Sequence, residues 1–322
     1  QRALAKARER TGGPAEAVTD FRRLLDRPDL DAVVIATPDH WHALQTVMAC
    51  DAGKDVYVEK PLSITVHEGR RMVAAARRND RVVQVGTHRR SSPLYRALAE
   101  RVRNGDFGKI CVSQAYRLSN MAPAGIGRTQ PTAPPAHLDW DLWLGPRPRR
   151  PYRDNIAPYR FRWWEQYSSQ MGNWGVHYLD AIRWCTGELA PASVCAMGGR
   201  FAVDDDRTVP DTMQAVFQFA SGRLAIFGQY ETSSNRLFPY GEIELRGTSG
   251  TVFVDGKSYQ VVPEHGGQFQ DPAPRMSPEE VRGPGSNADL TVLHARDFLV
   301  CMRSRGRPHA DVEIGHRSTT FS

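Results

Sequence analysis

Three short blocks of this sequence set polar and charged side chains where strands are expected to end. They are Thr37-Pro38-Asp39-His40, Glu59-Lys60-Pro61 and Thr87-His88-Arg89-Arg90. A lysine that precedes proline is restricted to extended backbone, and a cationic ring nearby disfavours its ammonium form, so it can exchange a proton with a hydroxyl near neutral pH. Taken alone, Lys60 in E-K-P is better explained as a solvated loop cation. A second set, Asn173, His177 and Asp180, is spaced four and then three residues apart, which puts the three on one helical face as a cleft wall. Gly172 and Gly175 leave room there for close approach of a ligand. The competing reading makes His177 an ordinary hydrogen-bonded core histidine whose tautomer Asp180 fixes. His40-x-His42 lacks a carboxylate at ligand spacing, so no metal site is expected. Trp163, Trp164 and Trp174 either stack on a substrate ring or pack in the core or against another subunit.

The elements that must position these groups follow from the apolar pattern. Residues 32–36, 55–59 and 81–86 read as strands, with amphipathic helices at 41–52 and 66–79 between them and Gly53 stopping the first helix. That alternation is the mark of right-handed βαβ units on a parallel sheet, where ligands bind outside the carboxyl ends of the strands. Residues 1–10 and 18–26 read as helices with no strand before them. A dinucleotide fold should open on a strand, a G-x-G-x-x-G turn, a helix and a second strand ending in an acidic residue. We therefore expect a chain lacking its first βαβ unit and shortened at its C-terminus.

Past Gly86 the pattern changes. A helix at 94–104 and a strand at 110–117 precede a Pro-, Arg- and Trp-rich stretch over 121–164, whose aromatics predict an ordered loop facing substrate or another subunit. A helix over 171–185 follows. Strands are expected at 193–201, 212–219, 223–231, 242–246, 251–255 and 258–262, joined by turns at Ser221-Gly222, Ser249-Gly250 and Asp255-Gly256. A last helix covers 289–303. The fold class is thus α/β: a partial Rossmann-type parallel sheet in residues 1–90, then an α+β domain in 91–322 with a large, mostly antiparallel open sheet.

With 322 residues, 40% hydrophobic and 24% charged, the chain can bury two ordinary cores. No apolar run is long enough to span a bilayer. The net charge of +6 is spread as arginine pairs along the chain, so neither nucleic acid nor membrane is an expected partner. Five scattered cysteines without a C-x-x-C pair read as reduced core thiols.

The block A-T-P-D-H-W-H-A-L-Q-T-V-M-A-C-D-A-G-K-D-V-Y-V-E-K-P-L-S from Ala36 to Ser63 resembles the Gfo/Idh/MocA family of sugar and polyol oxidoreductases. The resemblance continues through V-G-T-H-R-R, L-D-W-D-L-W-L-G-P and G-N-W-G-V-H-Y-L-D. It implies NAD or NADP as cofactor, lined by Thr37, Pro38, His40 and His42, with His88 and Arg89 at the nicotinamide end. It also implies that Glu59 and Lys60 form the pair whose lysine meets both nicotinamide and substrate, and that a cis peptide precedes Pro61. His177 matches a catalytic or substrate-orienting histidine, with Asn173, Asp180, Trp163 and Trp164 as substrate contacts. The family more often has aspartate where Asn173 stands. An amide cannot take a proton, so the acid/base work moves onto Lys60 and His177.

The resulting expectation is hydride transfer between a sugar or cyclitol carbon and nicotinamide, with Lys60 and His177 moving the hydroxyl proton. Two alternatives are a glycosidase acting by transient oxidation and elimination, and a non-catalytic dinucleotide-binding regulator. A homodimer or homotetramer is expected through the uncovered sheet face. Cytoplasm is the default compartment, and any export signal would lie in the segment expected before Gln1.

Overall fold

The computed structural model describes residues 2–283 and 287–322. Helix α1 (Arg2–Thr11) precedes a single helical turn, α2 (Arg22–Leu25), which is all that forms of the helix expected over 18–26. Next come β1 (Ala32–Ile35), α3 (Asp39–Asp51), β2 (Asp55–Val58), α4 (Val66–Arg78) and β3 (Val83–Val85). Among the described residues these strands make a three-stranded sheet, β1-β2-β3, parallel throughout, with Val33 opposite Val56 and Val58 opposite Val85. β2 and β3 are covered on both faces, whereas Val34 on the edge strand β1 is 71% exposed. Val56, Val58, Val83 and Val85 are fully buried against Met72, Ala75 and Ala76 of α4 and Ala49 and Cys50 of α3. α4 starts on a capping box between Thr65 and Glu68, an arrangement that contributes about 1 kcal/mol.

The chain then passes through a 3₁₀ turn (His88–Ser91) into α5 (Pro93–Asn104) and β4 (Ile110–Asn120). The stretch over 121–164 is ordered, with α6 (Trp140–Leu144) and a 3₁₀ turn (Arg160–Trp163) inside it. Its aromatics do not simply face outward: Trp140, Tyr152, Phe161, Trp164 and Tyr167 fill a small core of their own. The helix expected over 171–185 is two pieces. Met171–Gly175 is a π-helical turn, and α7 (Val176–Thr186) continues from it to Gly187 in the left-handed conformation.

The second sheet uses β4, β5 (Ser193–Gly199), β6 (Thr212–Gln218), β7 (Leu224–Tyr230), β8 (Thr232–Ser233), β9 (Ile243–Gly247), β10 (Gly250–Val254), β11 (Ser258–Pro263) and β12 (Glu279–Arg282). Its order is β12-β11-β10-β9-β4-β7-β6-β5, with β8 beside β4. All pairs are antiparallel except β4 with β7. Alternation decides its faces: Ala115, Ala215, Phe217, Phe227, Leu245 and Val252 pack under α5 and α7, while their neighbours look the other way.

Two expectations are corrected here. The chain does not end on the single helix expected after the second sheet: α8 (Asn287–Ser304) and a helix not foreseen, α9 (Val312–Thr319), return to the parallel sheet. Val312 joins its core, Gln84 donates to the His294 carbonyl at 2.7 Å, and Leu62 N–H donates to Thr319 Oγ1 at 3.1 Å. Nor are all five cysteines in the core: Cys50, Cys185 and Cys301 are buried, whereas Cys111 and Cys195 are exposed, beside a bulge in β4 and on the edge strand β5.

Candidate active site

The carboxyl ends of β1, β2 and β3 present Thr37, Glu59-Lys60 and Thr87-His88-Arg89 along one edge. The peptide before Pro61 is cis. His42 braces this edge, its two ring nitrogens lying 2.7 Å from the Pro61 carbonyl oxygen and 2.9 Å from that of Thr37. Thr37 Oγ1 donates to Gln45 at 2.8 Å. Glu59 lies against Gly86, where a Cβ would come within 2.7 Å of a Glu59 carboxylate oxygen, so a side chain there would displace that carboxylate.

Lys60 reaches across to the π-helical turn. Its Nζ donates to the Asn173 carbonyl oxygen at 2.7 Å and to Asn173 Oδ1 at 2.8 Å. Burial lowers the Lys60 pKa from its ordinary value, and the charges of Asp39 and Glu59 oppose that fall. Asp39 is itself buried, its pKa raised by burial, and it accepts a short hydrogen bond from Ser168.

His177 stands one turn beyond Asn173, beside a cleft of about 440 Å³ that is also lined by His88, Arg89, Trp174, Glu242 and Lys257. Burial pushes its pKa well below the usual histidine value, and the charges of Lys60, Arg89 and His88 push the same way. His177 is therefore a neutral imidazole near pH 7. His88 Nε2 lies 2.9 Å from the Tyr57 hydroxyl. Burial lowers the His88 pKa, with Glu59 opposing and Lys60 assisting. Arg89 donates to Glu242 at 2.5 Å, with its guanidinium 4.9 Å from the Tyr178 ring centroid.

Some residues expected at the site are engaged elsewhere. Asp180 does not share the cleft wall: it is 1% exposed, takes the Arg90 guanidinium Nε at 2.9 Å and the Ser318 hydroxyl at 2.5 Å, and pins α7 to the first domain. His40 Nε2 donates to the Trp143 carbonyl at 2.8 Å, and its ring sits between Trp143 and Tyr167; burial takes its pKa down to about 4. It anchors the aromatic segment rather than lining the strand ends. Trp164 is 4% exposed, donates to the Asn155 carbonyl at 2.8 Å and belongs to the segment's own core. Trp163 donates to Glu231 at 3.0 Å, next to the fully buried Arg207 that Asp205 and Glu231 share.

Sequence reasoning missed Tyr57, Glu242, Lys257 and His294. Tyr57 was hidden as one apolar letter of a buried strand. Glu242 opens a strand and Lys257 a turn, positions where charge is ordinary. His294 lies on α8, which nothing local ties to β3; its Nδ1 is 2.7 Å from Ser91 Oγ and its Nε2 is 2.9 Å from the Val85 carbonyl oxygen.

The edge fits the nicotinamide end of a dinucleotide. Thr87 Oγ1 and Arg89 Nη1 are buried without partners there, which leaves polar capacity for a ligand to satisfy. Among the described residues there is no glycine-rich strand-to-helix turn of the kind that cradles a pyrophosphate. No group of three or more histidine, cysteine or acidic side chains among them could hold a metal ion, and no helix among them is long and apolar enough to cross a membrane.

Two family models match the chain. One, described as an oxidoreductase family with an NAD-binding Rossmann fold, covers residues 1–87, and the other, a GFO/IDH/MocA C-terminal domain, covers residues 95–253. A levoglucosan dehydrogenase of Pseudarthrobacter phenanthrenivorans is 25% identical over 270 residues, 77% of this chain and 61% of the relative. A 1,5-anhydro-D-fructose reductase of Ensifer adhaerens is 33% identical over 123 residues, 38% of this chain and 36% of the relative. The chain thus spans less than two thirds of the length of these curated relatives. A levoglucosan dehydrogenase solved in complex with NADH and levoglucosan superposes with a TM-score of 0.72 at 21% identity, over 99% of this chain and 82% of that one. At that identity the likeness speaks for the fold.

Proposed function

This chain belongs to the Gfo/Idh/MocA oxidoreductase family, and from that premise we propose that it is an NAD(P)-dependent dehydrogenase oxidising a CH–OH group of a sugar or cyclitol. The observation that carries the reading is the double contact between Lys60 and Asn173. A neutral lysine amine has two N–H groups and one lone pair. The two oxygens of Asn173 take the N–H groups and leave the lone pair to receive a hydroxyl proton. Burial favours that neutral form, so Lys60 is the general base.

NAD or NADP, when bound, supplies the hydride acceptor. Thr37, Pro38, Glu59, Lys60, His88 and Arg89 would hold its nicotinamide end. His40 and His42 act on the cofactor edge from behind, one through the aromatic segment and the other by joining the two loops. Neutral His177 orients the substrate hydroxyl by a hydrogen bond, and Asn173 serves catalysis through Lys60 rather than by titrating. Trp174 offers an aromatic wall for a sugar ring. The oxidation-elimination route is not favoured, since the reported relatives are named as dehydrogenases and a reductase.

We also read the protein as a homo-oligomer. Val194 and Met197 on β5 and Phe201 just after it are 61%, 78% and 73% exposed, more bare apolar surface than an isolated sheet edge ordinarily keeps. A single-subunit mass by light scattering would contradict that part. The test of the activity is a panel of glucosides, anhydrosugars and cyclitols with NAD or NADP, followed at the reduced-nicotinamide absorbance. A substrate-dependent rise supports the dehydrogenase, and release of an aglycone without a rise defeats it.

A further inference from the structure

The cleft beside His177 does not end there. A second compartment of about 280 Å³ adjoins it and shares Tyr178, Glu242 and Asp255 with it, reaching past β4 to the loop before β9. Its remaining walls include Arg117, Arg236 and Phe238. The two carboxylates at the junction are already committed. Glu242 is paired with Arg89, and Asp255 Oδ1 takes the N–H groups of Lys257 and Ser258 at 2.7 and 2.8 Å.

The two arginines are not committed. The Arg117 guanidinium is half-buried and lies over the Trp174 ring, 3.8 Å from its centroid, a cation–π contact that uses none of its five N–H donors. Among the described residues neither Arg117 nor Arg236 meets a carboxylate or any other hydrogen-bond acceptor, although most arginines of this chain do. A guanidinium held against an aromatic ring with its donors free, in one compartment with a second guanidinium, is suited to a carboxylate or phosphate group. Because Trp174 also walls the first compartment, a ligand ring against it would place a substituent within reach of Arg117.

We infer that this second compartment is an anion subsite, so that the substrate is an acidic carbohydrate: a sugar or cyclitol that carries a carboxylate or phosphate away from the carbon that is oxidised. The inference rests on the dehydrogenase reading and narrows its substrate class.

The experiment titrates the full-length protein in the presence of NADH with D-glucose, D-glucuronate and D-glucose 6-phosphate, and with D-galactose and D-galacturonate, by calorimetry at low and at high salt. NADH binding and the oxidation of each sugar with NAD are followed separately. An acid should bind on the order of tenfold more tightly than its neutral counterpart. That preference should shrink at high salt and be lost in R236Q, and likewise in R117Q. Arg236 is exposed, so its variant tests the subsite even where R117Q folds poorly. Preference for the hexuronates identifies a carboxylate, and preference for the 6-phosphate identifies a phosphate. Equal binding of acids and neutral sugars, or a preference that survives both substitutions, overturns the subsite and leaves the dehydrogenase reading standing. A full-length protein that neither binds NADH nor oxidises any sugar overturns both.

Discussion

The side-chain nitrogen of Lys60 is gripped by one residue twice, 2.7 Å from the Asn173 main-chain oxygen and 2.8 Å from its amide oxygen. The main-chain oxygen belongs to the π-helical turn over Met171–Gly175, where backbone bonds run to the fifth residue rather than the fourth. The grip therefore depends on a backbone irregularity and on one side chain together.

Lys60→Ala removes the proposed base. Turnover of any sugar substrate should fall by about 10²- to 10⁴-fold, while NADH affinity changes little. Steady-state rates with a fluorescence titration of NADH check this, and undiminished turnover would sink the assignment.

The pH profile gives a separate test. Burial lowers the Lys60 pKa, so the active neutral amine appears at lower pH than for a free lysine, and oxidation should rise through an apparent pKa below 10.5. His177, held well below its ordinary value, adds no limb near neutrality. Asn173→Asp would put a carboxylate beside Nζ and favour the ammonium form. The rising limb should then move up by about 1–3 units, read from kcat/KM against pH. A limb that stays in place or moves down would remove Lys60 as its origin.

Asp180 is a matter of stability. Asp180→Asn leaves the buried Arg90 guanidinium without its counter-charge, and breaking such a pair costs about 3–5 kcal/mol. Urea denaturation measures it. A loss below 1 kcal/mol would show that the pair is not the pin between α7 and the first domain.

Tyr57→Phe removes the hydroxyl that holds His88 at 2.9 Å, a loss worth about 1 kcal/mol. With His88 free to turn, KM for the sugar should rise several-fold more than kcat falls. Unchanged kinetics would mean that His88 is held by packing alone.

The parallel strands and their crossover helices were legible because β-branched runs and helical spacing are local signals, and the strand ends then pointed to Lys60 and His88. What was not legible depends on distance or on a slip of the backbone. Helical spacing placed Asp180 on the face of Asn173, but the π turn changes the phase between them. The partners of Asp180 lie 90 and 138 residues away. His40 looked like a strand-end ligand until a carbonyl 103 residues on claimed it. α9 has a glycine at its centre, a weak helical signal whose explanation is that Gly315 lies against Val85, where a Cβ would come within 2.4 Å.

The return of α8 and α9 to the parallel sheet also sets an order of assembly. The second sheet is complete once β12 has been synthesised, but β3 keeps an open flank until Ala310 and Asp311 have left the ribosome, since the Val85 N–H donates to the Ala310 carbonyl at 2.9 Å and Gln84 bridges to Asp311. The domain that begins first must therefore finish last, and a nascent chain carries an exposed strand edge in the meantime. Any attempt to express residues 2–90 alone would freeze the protein at that stage, with Tyr57 and Gln84 stripped of the α8 side that covers them.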